Sequence, residues 1–236
     1  TRLNRNQKDY LANIDQAANA LLSLINEILD LAVIESGKVF LSLEPVPLDD
    51  VLNECQAMME AQALQHGIRL TFPQSEEPRF VWADQTRLKQ IIINLLSNAI
   101  KYNKDKGSVI VTCSDLDNGR IRISFSDTGD GLEPEKISQL FQPFNRLGQE
   151  AKGVAGTGIG LVVTKQLTEL MDGTLGVEST IGVGSIFWVE LRSTAAPDLI
   201  VGKNEVITTP PPQPKTGKSH HTLLYIEDNP ANMKLV

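Results

Sequence analysis

The chain has 236 residues, 41% of them hydrophobic and 22% charged, and 22 Lys and Arg against 29 Asp and Glu give a formal net charge of −7. That length allows one domain of ordinary size plus helical and tail segments, and the acidic balance with scattered basic residues offers no basic stripe for nucleic acid. Cys55 and Cys113 are isolated, which argues against a disulfide framework or zinc site and fits a reducing cytoplasm; no apolar run of ~18 residues or signal sequence is visible, so the expected setting is cytoplasmic without membrane contact, any membrane anchor lying upstream.

The first predicted element is a long helix over 5–36. Leu11, Ile14, Ala18, Leu21, Ile25 and Ile28 alternate spacings of three and four, a heptad seam. Leu22 and Leu29, with Leu24 and Leu31, widen the apolar face toward a four-helix bundle, so burial calls for a second chain. A plain structural helix is the simpler alternative. A helix over 48–65 and a strand near 68–72 follow, with His66 reading as an exposed residue before Gly67.

Leu88, Ile91, Ile92, Leu95, Leu96 and Ala99 recur at helical spacing and predict a buried amphipathic helix over 86–101. On its other face Asn94, Asn98 and Lys101 fall at i, i+4 and i+7, projecting two amides and an ammonium to one side. Neutral oxygen donors beside a cation suit a metal-bound polyphosphate; a solvated polar face is the alternative.

Strands are expected near 108–114 and 120–127. In the second, Ile121, Ile123 and Phe125 alternate inward, and the next inward position is Asp127, followed by the turn Thr128-Gly129-Asp130-Gly131. An unpaired buried carboxylate costs several kcal/mol, on the order of its desolvation. A donor on a ligand is its natural partner. Gly153 to Gly160 then runs into a helix over 159–171, closed by Gly173 as the expected C-cap. Glycines at a helix N-terminus bring unpaired N–H groups and the positive dipole end to phosphate. The spacing G-x-G-x-G after a polar loop does not fit a dinucleotide fingerprint, and Gly217-Lys218-Ser219 fails as a P-loop because the motif's first glycine would fall at Pro212.

Strands near 174–179 and 185–191 complete the sheet. Ser185 shares the inward parity of Phe187, Val189 and Leu191, so its hydroxyl is expected to meet Asp127 across strands, unless it is an ordinary turn serine. Ala195 to His221 is Pro-, Lys-, Thr- and Gly-rich and reads as a linker. After it, Leu223-Leu224-Tyr225-Ile226 leads into Glu227-Asp228, a strand ending in paired acids, although any buried edge strand could read so.

Taken in order, these motifs make residues 40–195 resemble the catalytic ATP-binding domain of a sensor histidine kinase of the GHKL superfamily. Asn94 to Tyr102 is similar to the N box, Asp127 to Gly131 to the G1 box, Phe141 to Phe144 to the F box, Gly156 to Leu161 to the G2 box, and Gly182 to Phe187 to the last glycine box. Leu29 to Lys38 resembles the second helix of the dimerisation hairpin, and residues 222–236 the first strand of a receiver domain, making a hybrid kinase the expected parent. The implied divisions are 1–39, 40–195, a linker at 196–221 and 222–236. The implied fold is an α/β sandwich of Bergerat type: an antiparallel-rich sheet covered on one face by helices, with the first helix projecting outside.

The resemblance implies Mg²⁺ and ATP as cofactors. Asp127 would accept from the adenine amine, with Gly131 letting the base enter edge-on and Gly129 and Ser185 beside it. Asn98 would hold Mg²⁺; Lys101, Tyr102, Phe144 and the loop of Gly156, Thr157, Gly158, Ile159, Gly160 and Leu161 would surround the nucleotide. Residues 132–155 would be the lid, and Arg146 would reach the terminal phosphate. Asp130, where relatives more often carry an apolar residue, would add negative charge near the mouth. Asn94 stands where gyrase-type relatives place a water-activating glutamate; an amide cannot take that proton, so transfer to a histidine is expected over hydrolysis. Implied partners are a second copy through the hairpin and a receiver domain, in cis or on a response regulator. His66, His220 and His221 lie in no helical His-Glu or His-Asp setting, so autophosphorylation by this chain alone is not expected. The rival functions are a GHKL ATPase acting by hydrolysis and a non-catalytic nucleotide-binding scaffold.

Overall fold

A computed structural model describes residues 4–37, 39–74, 77–146 and 157–196. The chain divides into a unit Thr1–Pro197 and a unit Asp198–Val236. All described residues lie in the first, so the linker and the acidic strand after it lie outside them, as do Gly153 and Gly156.

The elements run α1 (Arg5–Glu35), β1 (Glu44–Pro47), α2 (Leu48–Gln65), β2 (Arg69–Thr71), β3 (Phe80–Ala83), α3 (Gln85–Lys101), β4 (Ser108–Leu116), β5 (Arg120–Asp127), α4 (Pro134–Ile137), α5 (Gly160–Leu170), β6 (Thr174–Thr180) and β7 (Gly184–Thr194). Caps set several boundaries. Asn4 and Gln7 form a reciprocal capping box at the start of α1, and Asp84 Oδ1 accepts from Arg87 N at 3.0 Å to begin α3. Gly173 N donates to Thr168 O after α5, but the left-handed position is Asp172, with φ 55°, so the expected glycine cap is displaced by one residue. Aspartate tolerates that conformation; Gly173 instead leaves room for Glu190 O, which would lie 2.7 Å from a Cβ.

The sheet order is β1-β3-β7-β5-β4-β2, with β6 pairing β7. Its ladders are antiparallel except β2 with β4, which is parallel. This is the antiparallel-rich sheet with helices on one face that the resemblance implies. Val109, Val111, Ile121, Ile123, Phe125, Val189 and Leu191 point into the core, where Leu88, Ile91, Ile92, Leu95 and Leu96 of α3 meet them with Val51, Leu52 and Cys55 of α2 and Val163 and Leu167 of α5. Alternation explains the layering: β5 buries every second residue from Ile121 to Phe125 while Arg122 and Ser124 are only half-buried. Cys55 and Cys113 are free thiols pushed up to about 11 by burial first.

β1 and β3 were not legible in the sequence pattern. β1 reads Glu-Pro-Val-Pro, where prolines mask a strand that survives only at the sheet edge, and β3 is a four-residue strand without a long enough alternation. The single-turn α4 was not expected either, and α1 differs in its placement. Its N-terminal part exposes Leu11, Ile14, Leu21, Ile25 and Ile28 as the heptad seam predicts, but Leu31 is buried and Leu24 and Ile34 pack against the core. Its last turns therefore dock on the sheet-and-helix core instead of projecting free, because that face is apolar enough to join it. No helix among the described residues is long and apolar enough to cross a membrane.

Candidate functional site

β5 carries Asp127 at its last position, opposite Val109 of β4. The carboxylate is half-buried, and its Oδ1 accepts from Gly129 N at 2.8 Å and Ser185 N at 3.2 Å. Oδ2 takes no hydrogen bond from the described residues. The expected hydroxyl contact is thus corrected: the backbone of Ser185 meets Asp127, while its hydroxyl lies 2.9 Å from Ser179 Oγ. Ser179 in turn accepts from Leu132 N at 2.8 Å, tying the start of the following loop to β6. Burial pushes the Asp127 carboxyl above its ordinary value, and the two backbone donors pull the other way. One oxygen is anchored; the other remains an acceptor.

The turn after β5 is shaped by close backbone approach. Gly131 has φ 72°, and a Cβ there would fall 2.1 Å from Thr180 O. Its bare Cα makes room for β6's end. Gly129 brings the turn against Tyr102 O at the end of α3, where a Cβ would lie at 2.5 Å. Asp130, exposed at the surface, accepts from Gly182 N through its carbonyl at 2.7 Å.

On α3, Asn94 donates from Nδ2 to Thr164 Oγ1 of α5 at 2.6 Å. The N-terminus of α5 reaches this amide because residue 160 is glycine: a Cβ there would sit 2.6 Å from Asn94 Oδ1. Thr164 was not singled out in the sequence; its place one turn after Gly160 was the available signal. Asn98 follows one turn after Asn94 and is half-buried. Lys101 Nζ lies 5.2 Å from the Tyr102 ring centroid, within reach of a cation–π contact. Burial, and then Arg146, hold the Lys101 ammonium below the usual lysine range, while Glu27 acts in the opposite sense. Two cations therefore share this end of the site.

The glycine loop closes the constellation. Thr157 Oγ1 accepts from Ile159 N at 3.2 Å and is bonded to the Glu27 carboxylate of α1. Ile159 is fully buried and Leu161 packs on the core, fixing where α5 begins. Phe144 N donates to Gly158 O at 3.2 Å, and Lys165 lies over the Phe141 ring at 5.3 Å. The structure thus brings the predicted residues to one region from the ends of β5, β7, α3 and α5, except Gly156, which lies outside the described residues. Glu27 entered that region unpredicted. Chemically, one end offers a carboxylate acceptor to a ligand N–H, and the other offers two cations, a hydroxyl and a helix N-terminus to an anion.

Residues 83–195 match the family described as histidine kinase-, DNA gyrase B-, and HSP90-like ATPase. The chain is 38% identical over 198 residues to the sensor histidine kinase GacS of Pseudomonas protegens, covering 81% of this chain and 22% of that protein. It is 34% identical over 236 residues to the signal transduction histidine-protein kinase BarA of Escherichia coli K12, covering 98% of this chain and 25% of that one. The chain therefore spans about a quarter of these relatives' length. Among solved structures, full-length ShkA in complex with AMPPNP superposes with a TM-score of 0.72 at 32% identity, covering 83% of this chain and 41% of that one. A pinned carboxylate at the end of β5, the amide face of α3 and a glycine loop opening α5 are thus the parts of a recognised ATPase domain, and the chain belongs to the histidine kinase-type members of the GHKL superfamily.

Proposed function

We propose that this chain binds Mg²⁺-ATP and serves as the kinase module of a two-component sensor, passing the γ-phosphoryl group to a histidine on a dimerisation helix. The observation that carries this reading is the Asp127 arrangement: Oδ1 is held by two backbone N–H groups, and Oδ2 remains to accept the adenine amine. Guanine would present a carbonyl there, leaving two acceptors opposed and costing on the order of a few kcal/mol. Adenine selectivity is the consequence.

In this reading Lys101 and Arg146 neutralise phosphate charge, Tyr102 and Phe144 flank the nucleotide, and the Thr157–Leu161 segment presents backbone donors to phosphate. Asn98 fits a magnesium site in its chemistry, since Mg²⁺ takes one or two protein oxygens and otherwise phosphate and water; when bound, the ion would neutralise phosphate charge. Asn94, already donating to Thr164, offers no general base. That amide favours transfer over hydrolysis, with positioning and charge neutralisation carrying the catalysis. The acceptor is a helix histidine other than His66, an exposed residue that caps α2. A second copy paired through α1 and a receiver domain, in cis or on a response regulator, complete the proposed relay in the cytoplasm. We place the division of the chain at residues 1–39, 40–195, 196–221 and 222–236.

Calorimetric titration with ATP and GTP, each with and without Mg²⁺, tests the reading beside Asp127→Asn and Asn98→Ala. We expect selective ATP binding, lost in Asp127→Asn, with the Mg²⁺-dependent part lost in Asn98→Ala. Absence of binding in the folded wild-type chain, and equally in a chain without the Glu27 charge beside Thr157, would instead favour a non-catalytic scaffold.

A further inference from the structure

Glu27 is a carboxylate where a phosphate is expected. It lies on the face of α1 that packs against the catalytic unit, with Leu24, Leu31 and Ile34 at neighbouring turns of the same face. Its carboxylate takes the Thr157 hydroxyl, immediately before Gly158 and the N-terminus of α5. It also acts favourably on the Lys101 ammonium, against the repulsion of Arg146. One turn on, Asp30 makes a second polar contact: Oδ2 accepts from Gln90 Nε2 at 2.8 Å and Oδ1 from Arg87 Nη1 at 3.4 Å, while Arg87 Nη1 donates to Gln90 Oε1 at 2.8 Å. These partners belong to α3, the helix that bears Asn94, Asn98 and Lys101. The docked helix therefore grips both elements of the anion-binding end and supplies an anion of its own to one of them.

Resting on the reading of this site as the ATP site, we infer that Glu27 is a built-in competitor of the nucleotide phosphates, so that docking of α1 and binding of ATP oppose each other. The physical reason is charge. A triphosphate entering beside Lys101 and Thr157 meets a carboxylate already using the same donors, and like charges brought together in a half-buried site repel. Either the carboxylate leaves with its helix or the phosphate binds less tightly. By linkage, whatever loosens the docked face must tighten ATP. Asp30 contributes to docking without touching the phosphate end, so it reports on the helix as a whole.

The test uses the full chain with ATP and with adenosine, which shares the base but carries no phosphate. Glu27→Gln keeps the size of the side chain and removes its charge. It should tighten ATP by about fivefold, the weight of one partly screened charge contact, and leave adenosine unchanged. Asp30→Asn should also tighten ATP, because it weakens docking. Unchanged or weaker ATP binding by Glu27→Gln, in a chain whose wild type binds ATP, would overturn the inference while leaving the ATP reading intact. Equal tightening of adenosine would also overturn it, since the effect would then be an opened pocket and not relieved repulsion. If neither the wild type nor Glu27→Gln binds ATP, the ATP reading itself fails and the inference with it. Binding by Glu27→Gln alone would support both.

Discussion

At the scale of single residues, Asp127 in the proposed reading trades stability for recognition. Burial raises its carboxyl above the ordinary value, so the folded state disfavours the charged form relative to the unfolded chain. A raised folded-state value contributes stability at low pH that is lost as pH rises through it. At neutral pH the ionised Asp127 is therefore a cost, and Asp127→Asn should melt no lower than wild type in nucleotide-free buffer while its ATP affinity drops by tenfold or more, about 1.4 kcal/mol. Calorimetric melting and titration of the same two samples check both halves. The same sign gives a pH prediction: ATP affinity should decline on acidification at a pH above that of an ordinary carboxyl, because the acceptor protonates early. An affinity constant down to the usual carboxylate range would contradict it. Thr164 makes a subtler case. Its hydroxyl accepts from Asn94 Nδ2 in a buried position, so Thr164→Val leaves that donor without its partner, at a cost of about 1–3 kcal/mol. Thr164→Ser, which restores the oxygen, should recover most of the lost melting temperature; equal loss in both would show that the methyl group, not the hydroxyl, matters.

At the scale of elements, patterns long enough to be periodic were readable and short or interrupted ones were not. α3 combines an apolar stripe with Asn94, Asn98 and Lys101 on another side, and β5 alternates cleanly up to its one anomalous carboxylate, so both element and candidate site could be read from residue order. β1, broken by prolines, and β3, four residues long, could not, because their strand character comes from pairing with each other and with β7. Phe125 shows what the alternation is worth. It is fully buried between the sheet and its helices, and Phe125→Ala should cost about 3–5 kcal/mol in denaturant unfolding. A loss below 1 kcal/mol would mean that the layer repacks around the cavity.

At the scale of the whole described unit, α1 has two faces with different destinations. One carries Leu24, Glu27, Asp30, Leu31 and Ile34 toward α3, α5 and the core; the other leaves Ile14, Leu21 and Ile25 exposed, Ile14 by 63%. Exposed apolar residues at heptad spacing are stabilised by a partner helix. In our proposal that partner is a second copy, so sedimentation of the wild-type chain should show a dimer and Leu21→Asp with Ile25→Asp a monomer. An unchanged, monomeric wild type would rule out pairing through this seam within the chain.

The sequence by itself determined the periodic elements, the amide face of α3, the misplaced carboxylate at Asp127 and the glycines before α5, because each is a local departure from a regular pattern. Only the tertiary structure decided how they meet. It decided that Ser185 reaches Asp127 through its backbone, that Gly131 leaves room for Thr180, that Thr164 accepts from Asn94, and that Glu27 bonds the Thr157 hydroxyl. These contacts join residues far apart in the chain, and their partners follow from how strands and helices pack, which no local spacing specifies.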